Sequence, residues 1–221
     1  MSDERAAGAD AAVEDVADGQ SVVAPVGAYL AEVRRSNGWT LAELARITGV
    51  SISTLSKIEN NQTAPAYGIL TKLAAGLGVD FAVLLGDRPS RPALGARAVT
   101  KAGQGAHYAN EMGAYEALAT ELAAKSMEPM IVDIPADGRT PGRIRSAHEG
   151  EEFVYVLSGR VVFEMDPYAP RVLETGDSVY FDGSTSHGFS ADAQGARILS
   201  ICQVRAGPAR SPFPDAEDSG S

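Results

Sequence analysis

Two hydrophobic rhythms divide the chain. Between Val26 and Gly86 apolar residues return every three or four positions, the period of helices that bury one face. In "LAELARIT" Leu41, Leu44, Ala45 and Thr48 fall on one side of such a helix. From Met127 onward the apolar residues come in short runs punctuated by Gly, Pro and Asp: "MEPMIVDI", "EEFVYVL", "RVVFEM", "DSVYF" and "ARILSICQV". Strands at roughly ten-residue spacing predict an all-β sandwich or barrel. Between the two regions "GDRPSRPALGARAV" carries Pro89 and Pro92 and reads as a linker. "AYEALATELAAK", residues 114–125, reads both ways: propensity favours helix, and a β-rich neighbourhood favours strand. No internal repeat interrupts this α + β two-domain plan.

Capping residues sharpen the helical part. Thr40 with Glu43 three residues on makes a capping box and predicts a helix over 41–48. Gly49 supplies a tight turn, and Ser51 caps a second helix over 51–60. There Leu55 and Ile58 point inward with Val50, leaving Ile52, Ser53, Ser56 and Lys57 outward. Asn60-Asn61 ends it, and Pro65 precedes a third helix over 66–77.

Composition changes the picture in three places. The 221 residues suffice for two domains, and 44% apolar content suffices for ordinary cores. Acids outnumber Lys and Arg by 29 to 19, but unevenly. Residues 1–25 hold six acids and one base with no aromatic residue, predicting a disordered acidic tail. Residues 26–86 hold five bases and four acids, the one stretch that does not repel nucleic acid. The tail 207–221 also reads as disordered. The lone cysteine, Cys202, excludes an internal disulfide framework and a Cys-based zinc site, and fits a reducing cytosol. No leader opens the chain and no apolar run approaches the roughly 18 residues of a membrane span. A soluble, cytoplasmic protein is expected.

The string "LAELARITGVSISTLSKIEN", with its downstream Pro and "LAAGLGV", resembles the lambda-repressor-like (Xre) helix-turn-helix family over residues 26–86. The resemblance implies that helix 51–60 is a recognition helix in the major groove of double-stranded operator DNA. Ile52, Ser53 and Lys57 would then face base edges, and Thr40, Arg46, Ser51 and Ser56 phosphates, with Arg34 and Arg35 supplying nearby positive charge. A domain of this kind contacts one half-site, so a homodimer on a pseudo-palindrome is expected.

On an unbroken strand His148, Glu152, Val154 and Val156 share one face. About 35 residues later "GDSVYFDGSTSH" brings Asp177 after a Gly turn and His187 at the end of a loop. Imidazole, carboxylate and imidazole converging on one point suit a divalent metal such as Fe, Ni, Zn or Mn. "HEGEEFVYVLSGR" and "GDSVYFDGSTSH" resemble the two motifs of the cupin family, implying a double-stranded β-helix barrel. The family's two histidines and glutamate of the first motif map onto Ser146, His148 and Glu152, and the histidine of the second onto His187. Ser146 stands where the first histidine is usual, and the second motif's proline is missing. A three-ligand His148–Glu152–His187 centre is therefore implied rather than a four-ligand one.

The expected organisation is a tail (1–25), a helix-turn-helix domain (26–86), a linker (87–110), a cupin domain (111–206) and a second tail (207–221). Three readings of the barrel compete. It senses a small-molecule effector for the DNA-binding domain; it is a catalytic iron oxygenase of the hydroxypropylphosphonate epoxidase type; or His148 and Glu152 only brace a packed interior. Retention of the capped turn, the serine-rich outward face and Lys57 favours the regulator. Arg143, Arg145, Tyr155 and Tyr180 are the nearby candidates for lining a ligand pocket, and several have the parity of the outer face, which reads equally as surface or dimer contact.

Overall fold

Local signals set the helical half. The computed structural model describes residues 26–90, 95–136 and 145–203; the acidic tail, the C-terminal tail and Arg143 lie outside the described residues. Among the described residues five helices run in order: α1 (Val26–Ser36), α2 (Leu41–Thr48), α3 (Ile52–Glu59), α4 (Tyr67–Leu77) and α5 (Phe81–Leu84). Thr40 caps α2 through a complete capping box, its hydroxyl accepting from the Glu43 amide while the Glu43 carboxylate accepts from the Thr40 amide. Gly49 closes α2 in the left-handed region (φ 68°, ψ 15°), a conformation that costs a residue with Cβ. Ser51 then accepts from the Thr54 amide at 3.2 Å and starts α3. Leu30, Val33, Leu44, Leu55, Ile58 and Leu73 meet in a core from which solvent is excluded.

Ser51→Ala should cost the isolated protein about 1 kcal/mol, because the Thr54 amide loses its acceptor, whereas Ser51→Gly should cost only a few tenths. Urea denaturation followed by far-UV dichroism measures the difference, and equal losses would assign the effect elsewhere.

The second half is one antiparallel sheet of seven strands: β1 (Ala106–Ala109), β2 (Ala114–Ala117), β3 (Met127–Ile134), β4 (Glu151–Met165), β5 (Arg171–Glu174), β6 (Ser178–Asp182) and β7 (His187–Gln203). Their order is β1-β2-β3-β7-β4-β5, with β6 on the other edge of β4. The runs "EEFVYVL" and "RVVFEM" are one strand. Register shifts between Val156 and Ser158 and between Gly159 and Val161 bend it, so β4 serves two sectors of the barrel without a break. Residues 114–117 settle as strand, paired with β1 and β3, and tertiary pairing overrides the helical propensity of their alanines. β1 lies within the stretch read as linker.

The helices sit on the barrel rather than apart from it. Asp80 Oδ2 accepts from the Ala124 amide at 2.9 Å, and Ser90 exchanges backbone bonds with Glu121 and Ala123. Phe81 meets Tyr108 edge-on, with ring centres 6.1 Å apart. The buried apolar cluster is continuous from Leu30 through Tyr67 and Phe81 into Val154 and Ile198.

Candidate metal centre and DNA-facing helix

Strand alternation builds the centre. Glu152, Val154 and Val156 alternate inward on β4 while Tyr155 and Leu157 face out. On β7 Cys202 lies opposite Glu152 and Ser200 opposite Val154, so both point into the same interior. His148 precedes β4 and His187 opens β7; a two-way backbone pairing of Ser146 with His187, at 2.8 and 3.0 Å, joins the two segments. His148, Glu152, His187, Ser200 and Cys202 are all buried.

Glu152 is the hub. Its Oε2 lies 3.0 Å from His148 Nε2 and 3.4 Å from His187 Nε2, and its Oε1 accepts from the Ser200 hydroxyl at 2.7 Å. Each histidine places its other ring nitrogen on a main-chain carbonyl: His148 Nδ1 at 3.3 Å from Glu149 O, and His187 Nδ1 at 2.8 Å from Thr185 O. A carbonyl only accepts, so both Nδ1 atoms carry the proton. Each Nε2 reaches the same carboxylate oxygen through its own proton, and a metal that displaces those protons would meet both Nε2 lone pairs beside Glu152. Nδ1–H held on a carbonyl is the arrangement that orients a metal-ligating imidazole. Gly183 makes room for one ring, since a Cβ there would stand 2.4 Å from His148 Cε1.

Burial raises the Glu152 carboxyl, but hydrogen bonds from His148 and His187 and the charges of the two imidazoles outweigh it and bring its pKa to about 2. An anion therefore stands at the centre. Nitrogen–oxygen separations of 3.0 and 3.4 Å match neighbouring ligands around an ion with bonds of about 2.1 Å. Cys202 adds a sulfur: its Sγ and the ligand atoms of His148 and Glu152 all lie within 4.8 Å of one another. Burial, then the Glu152 charge, push this thiol well above its ordinary pKa, so it stands as a neutral thiol that a cation would convert to thiolate. The donor set fits a first-row divalent ion that accepts nitrogen, oxygen and sulfur.

Cys202 is the residue that sequence reasoning set aside, because one cysteine makes no multi-thiolate site. Its signal was parity: Ser200 and Cys202 alternate on one face of an apolar strand. Tyr67 was missed as well. It belongs to α4, yet its ring meets His148 edge-on at 5.1 Å.

The expected pocket residues are dispersed. Tyr155 and Tyr180 stand exposed on the outer face of β4 and β6, and Arg145 is held by Asp166 at 2.7 Å and Glu164 at 4.0 Å. Glu128, on the other flank of Cys202 in the sheet, is a further buried acid. Burial raises its pKa to about 7 against the pull of Lys125, whose Nζ is 2.8 Å away. A raised carboxyl pKa means the native state holds an extra proton between about pH 4.5 and pH 7. Its contribution is complete below that window and is lost as pH rises through it, by about 3 kcal/mol at most. Glu128→Gln should therefore gain on the wild type as pH climbs from 4.5 to 7 in denaturant titrations; a gap independent of pH would refute the assignment.

On the helical side Thr40, Arg46, Ser51, Ile52, Ser53 and Lys57 are exposed on α2, α3 and their caps, and Ser56 is half-buried. The hydroxyls of Thr40 and Ser51 are already engaged as caps. Arg34 is not a free cation, since its guanidinium makes two bonds to Glu59 at 2.7 and 2.9 Å and a third to Trp39 O.

A family profile described as "Helix-turn-helix" matches residues 30–84, and one described as "Cupin domain" matches residues 130–202. The chain joins an HTH_3 helix-turn-helix domain to a cupin domain. Its HTH region is similar to the HTH-type transcriptional regulator SutR of Escherichia coli K12, 41% identical over 56 residues, 25% of this chain and 32% of that protein. (S)-2-hydroxypropylphosphonic acid epoxidase of Streptomyces wedmorensis is 31% identical over 80 residues, 35% of this chain and 40% of the enzyme. These two matches span well under half of the relatives' own lengths. The HTH-type transcriptional regulator PuuR of E. coli K12 is 25% identical over 177 residues, 79% of this chain and 92% of that regulator. A solved HTH_3 family transcriptional regulator from Vibrio cholerae covers 82% of this chain and 96% of its own, with a TM-score of 0.54 at 20% identity, a likeness of fold. Within the cupin domain, the serine that replaces the usual first histidine has a partner of its own: Ser146 Oγ accepts from the Gly68 amide of the HTH domain at 3.2 Å.

Proposed function

We propose that this HTH–cupin chain is a DNA-binding transcriptional regulator whose cupin domain holds a divalent metal at His148, Glu152, His187 and Cys202 and responds to a small-molecule effector. One observation carries the reading: a capped α2–turn–α3 unit with Ile52, Ser53 and Lys57 exposed shares a chain with a buried cluster of His148, Glu152 and Cys202, whose carboxylate also reaches His187 at 3.4 Å. The outward face of α3 suits the major groove, with Lys57 as its cation and Ile52 as an apolar contact for a thymine methyl. When bound, the metal would supply a Lewis acid to anchor an effector oxygen. The protein residues hold the ion, and Ser200 fixes the orientation of the carboxylate.

A homodimer suits the two half-sites of a pseudo-palindrome, and the exposed Tyr155, Leu157 and Tyr180 offer an apolar surface for the second copy. No described helix is long and apolar enough to cross a membrane. We place the protein in the reducing cytosol, where a buried free thiol persists.

The test is retardation of the protein's own upstream DNA at low salt, beside metal analysis of the purified protein. A shifted band that competitor DNA does not abolish supports the regulator. Likeness to the epoxidase favours a second reading, an Fe(II)-dependent oxygenase. Absence of DNA binding at low salt, with one iron per chain and oxygen consumption, would establish that second reading instead.

A further inference from the structure

The contact between α4 and the barrel has three parts that belong together. First, α4 begins without a cap of its own: its N-cap, Ala66, has no side-chain oxygen. The barrel supplies one, Ser146 Oγ, which accepts from the Gly68 amide at 3.2 Å. Second, the approach is as close as the backbone allows. A Cβ on Gly68 would stand 2.3 Å from Ala147 O, so only glycine permits it. Third, Tyr67 reaches past this junction into the site. Its ring packs on His148 and on Phe81 (5.4 Å), and its hydroxyl is buried beside the Cys202 thiol without a well-formed hydrogen bond.

The third part is the unusual one. A buried tyrosine hydroxyl whose neighbour is a thiol, a weak partner, is poorly satisfied, and such a group calls for an explanation such as a water or an ion at the site. Here it stands beside Cys202, while its ring lies against His148, two of the groups that can hold a metal. A metal bound by three protein groups keeps a position for exogenous oxygen, and an ion that takes five or six ligands keeps one even beside four. Tyr67, a donor beside Cys202, is contributed by the helical domain.

We propose that Tyr67 is a ligand-contacting residue of the cupin site: its hydroxyl donates to an oxygen, of water or of a carboxylate effector, carried by the bound metal, so that a loaded site holds α4 on the barrel. The proposal rests on the metal reading above. It assigns a distinct role to Ser146, which caps α4 whatever the occupancy. By reciprocity, whatever metal loading does for α4 docking, α4 docking does for metal affinity.

The experiment uses the full chain, stripped with chelator and loaded with Zn(II) or Co(II), with uptake counted by elemental analysis. Amide hydrogen exchange across α4, above all at Gly68, reports how often the helix lifts from the barrel. Loading is expected to slow that exchange at least tenfold in the wild type. Tyr67→Phe keeps the ring against His148 and Phe81 and removes only the hydroxyl. It should fold as well as the wild type, take up one metal per chain, and show less than a twofold change on loading. Ser146→Ala should exchange faster in both states but keep the tenfold response to metal. Full protection in loaded Tyr67→Phe, or no protection in the loaded wild type, overturns the proposal while leaving the metal site in place. No uptake of either ion by the wild type overturns the metal reading and this coupling together.

Discussion

Glu152→Gln is expected to strip the cupin site of metal, lowering affinity for Zn(II) or Co(II) more than 100-fold. The carboxylate is the donor already ionised before a metal arrives, and both imidazoles direct Nε2 at the same oxygen. Loss of an outer partner of a metal ligand costs roughly 10- to 100-fold, and loss of a ligand that is also the shared acceptor costs more. Glutamine keeps the volume and one acceptor for Ser200 but brings an NH2 toward one of the imidazoles. The apo protein should lose stability too, by about 3 kcal/mol, because breaking a buried charge pair leaves its partners uncompensated. Isothermal titration and thermal melts with and without metal measure both effects. Metal affinity within a few-fold of wild type would remove Glu152 from the centre.

Lys57→Glu should weaken operator binding about 100-fold while leaving metal uptake and melting temperature unchanged. Lys57 is exposed on α3, and the packing of that helix depends on Leu55 and Ile58. A base-edge or phosphate contact is worth about 1–3 kcal/mol, and reversal adds repulsion at each half-site of a dimer. Few other cations share the load: with Arg34 tied to Glu59, only Arg35 and Arg46 remain exposed on α1 and α2. Fluorescence anisotropy at several salt concentrations should show both the weaker binding and a shallower salt dependence. A change below threefold would place the DNA contact elsewhere.

What could be read from the sequence follows from how local each signal is. Caps and turns are short-range, so Thr40, Glu43, Gly49 and Ser51 predict α2 and α3 almost to the residue. Glu152 lies within 3.4 Å of both His148 and His187, whose segments are joined by the pairing of Ser146 with His187. Pairings between distant segments left weaker traces. The strand at 114–117 is fixed by its neighbours, and β4 continues through a bulge that periodicity reads as an ending. Cys202 joins the centre through register with Glu152, fifty positions away, which no window on the sequence displays. Tyr67 and Ser146 are the extreme case, since their roles exist only once one domain is seated on the other.

That seating also sets a clock. On the helical side Tyr67 packs on His148 and Gly68 lies against the Ala147 carbonyl, so a path past them waits for the helix to lift. Such openings run from microseconds to seconds and owe nothing to the concentration outside. Exchange by this route is therefore paced from within. A metal held at the centre would exchange by this route at the pace of the helix, whatever the supply outside.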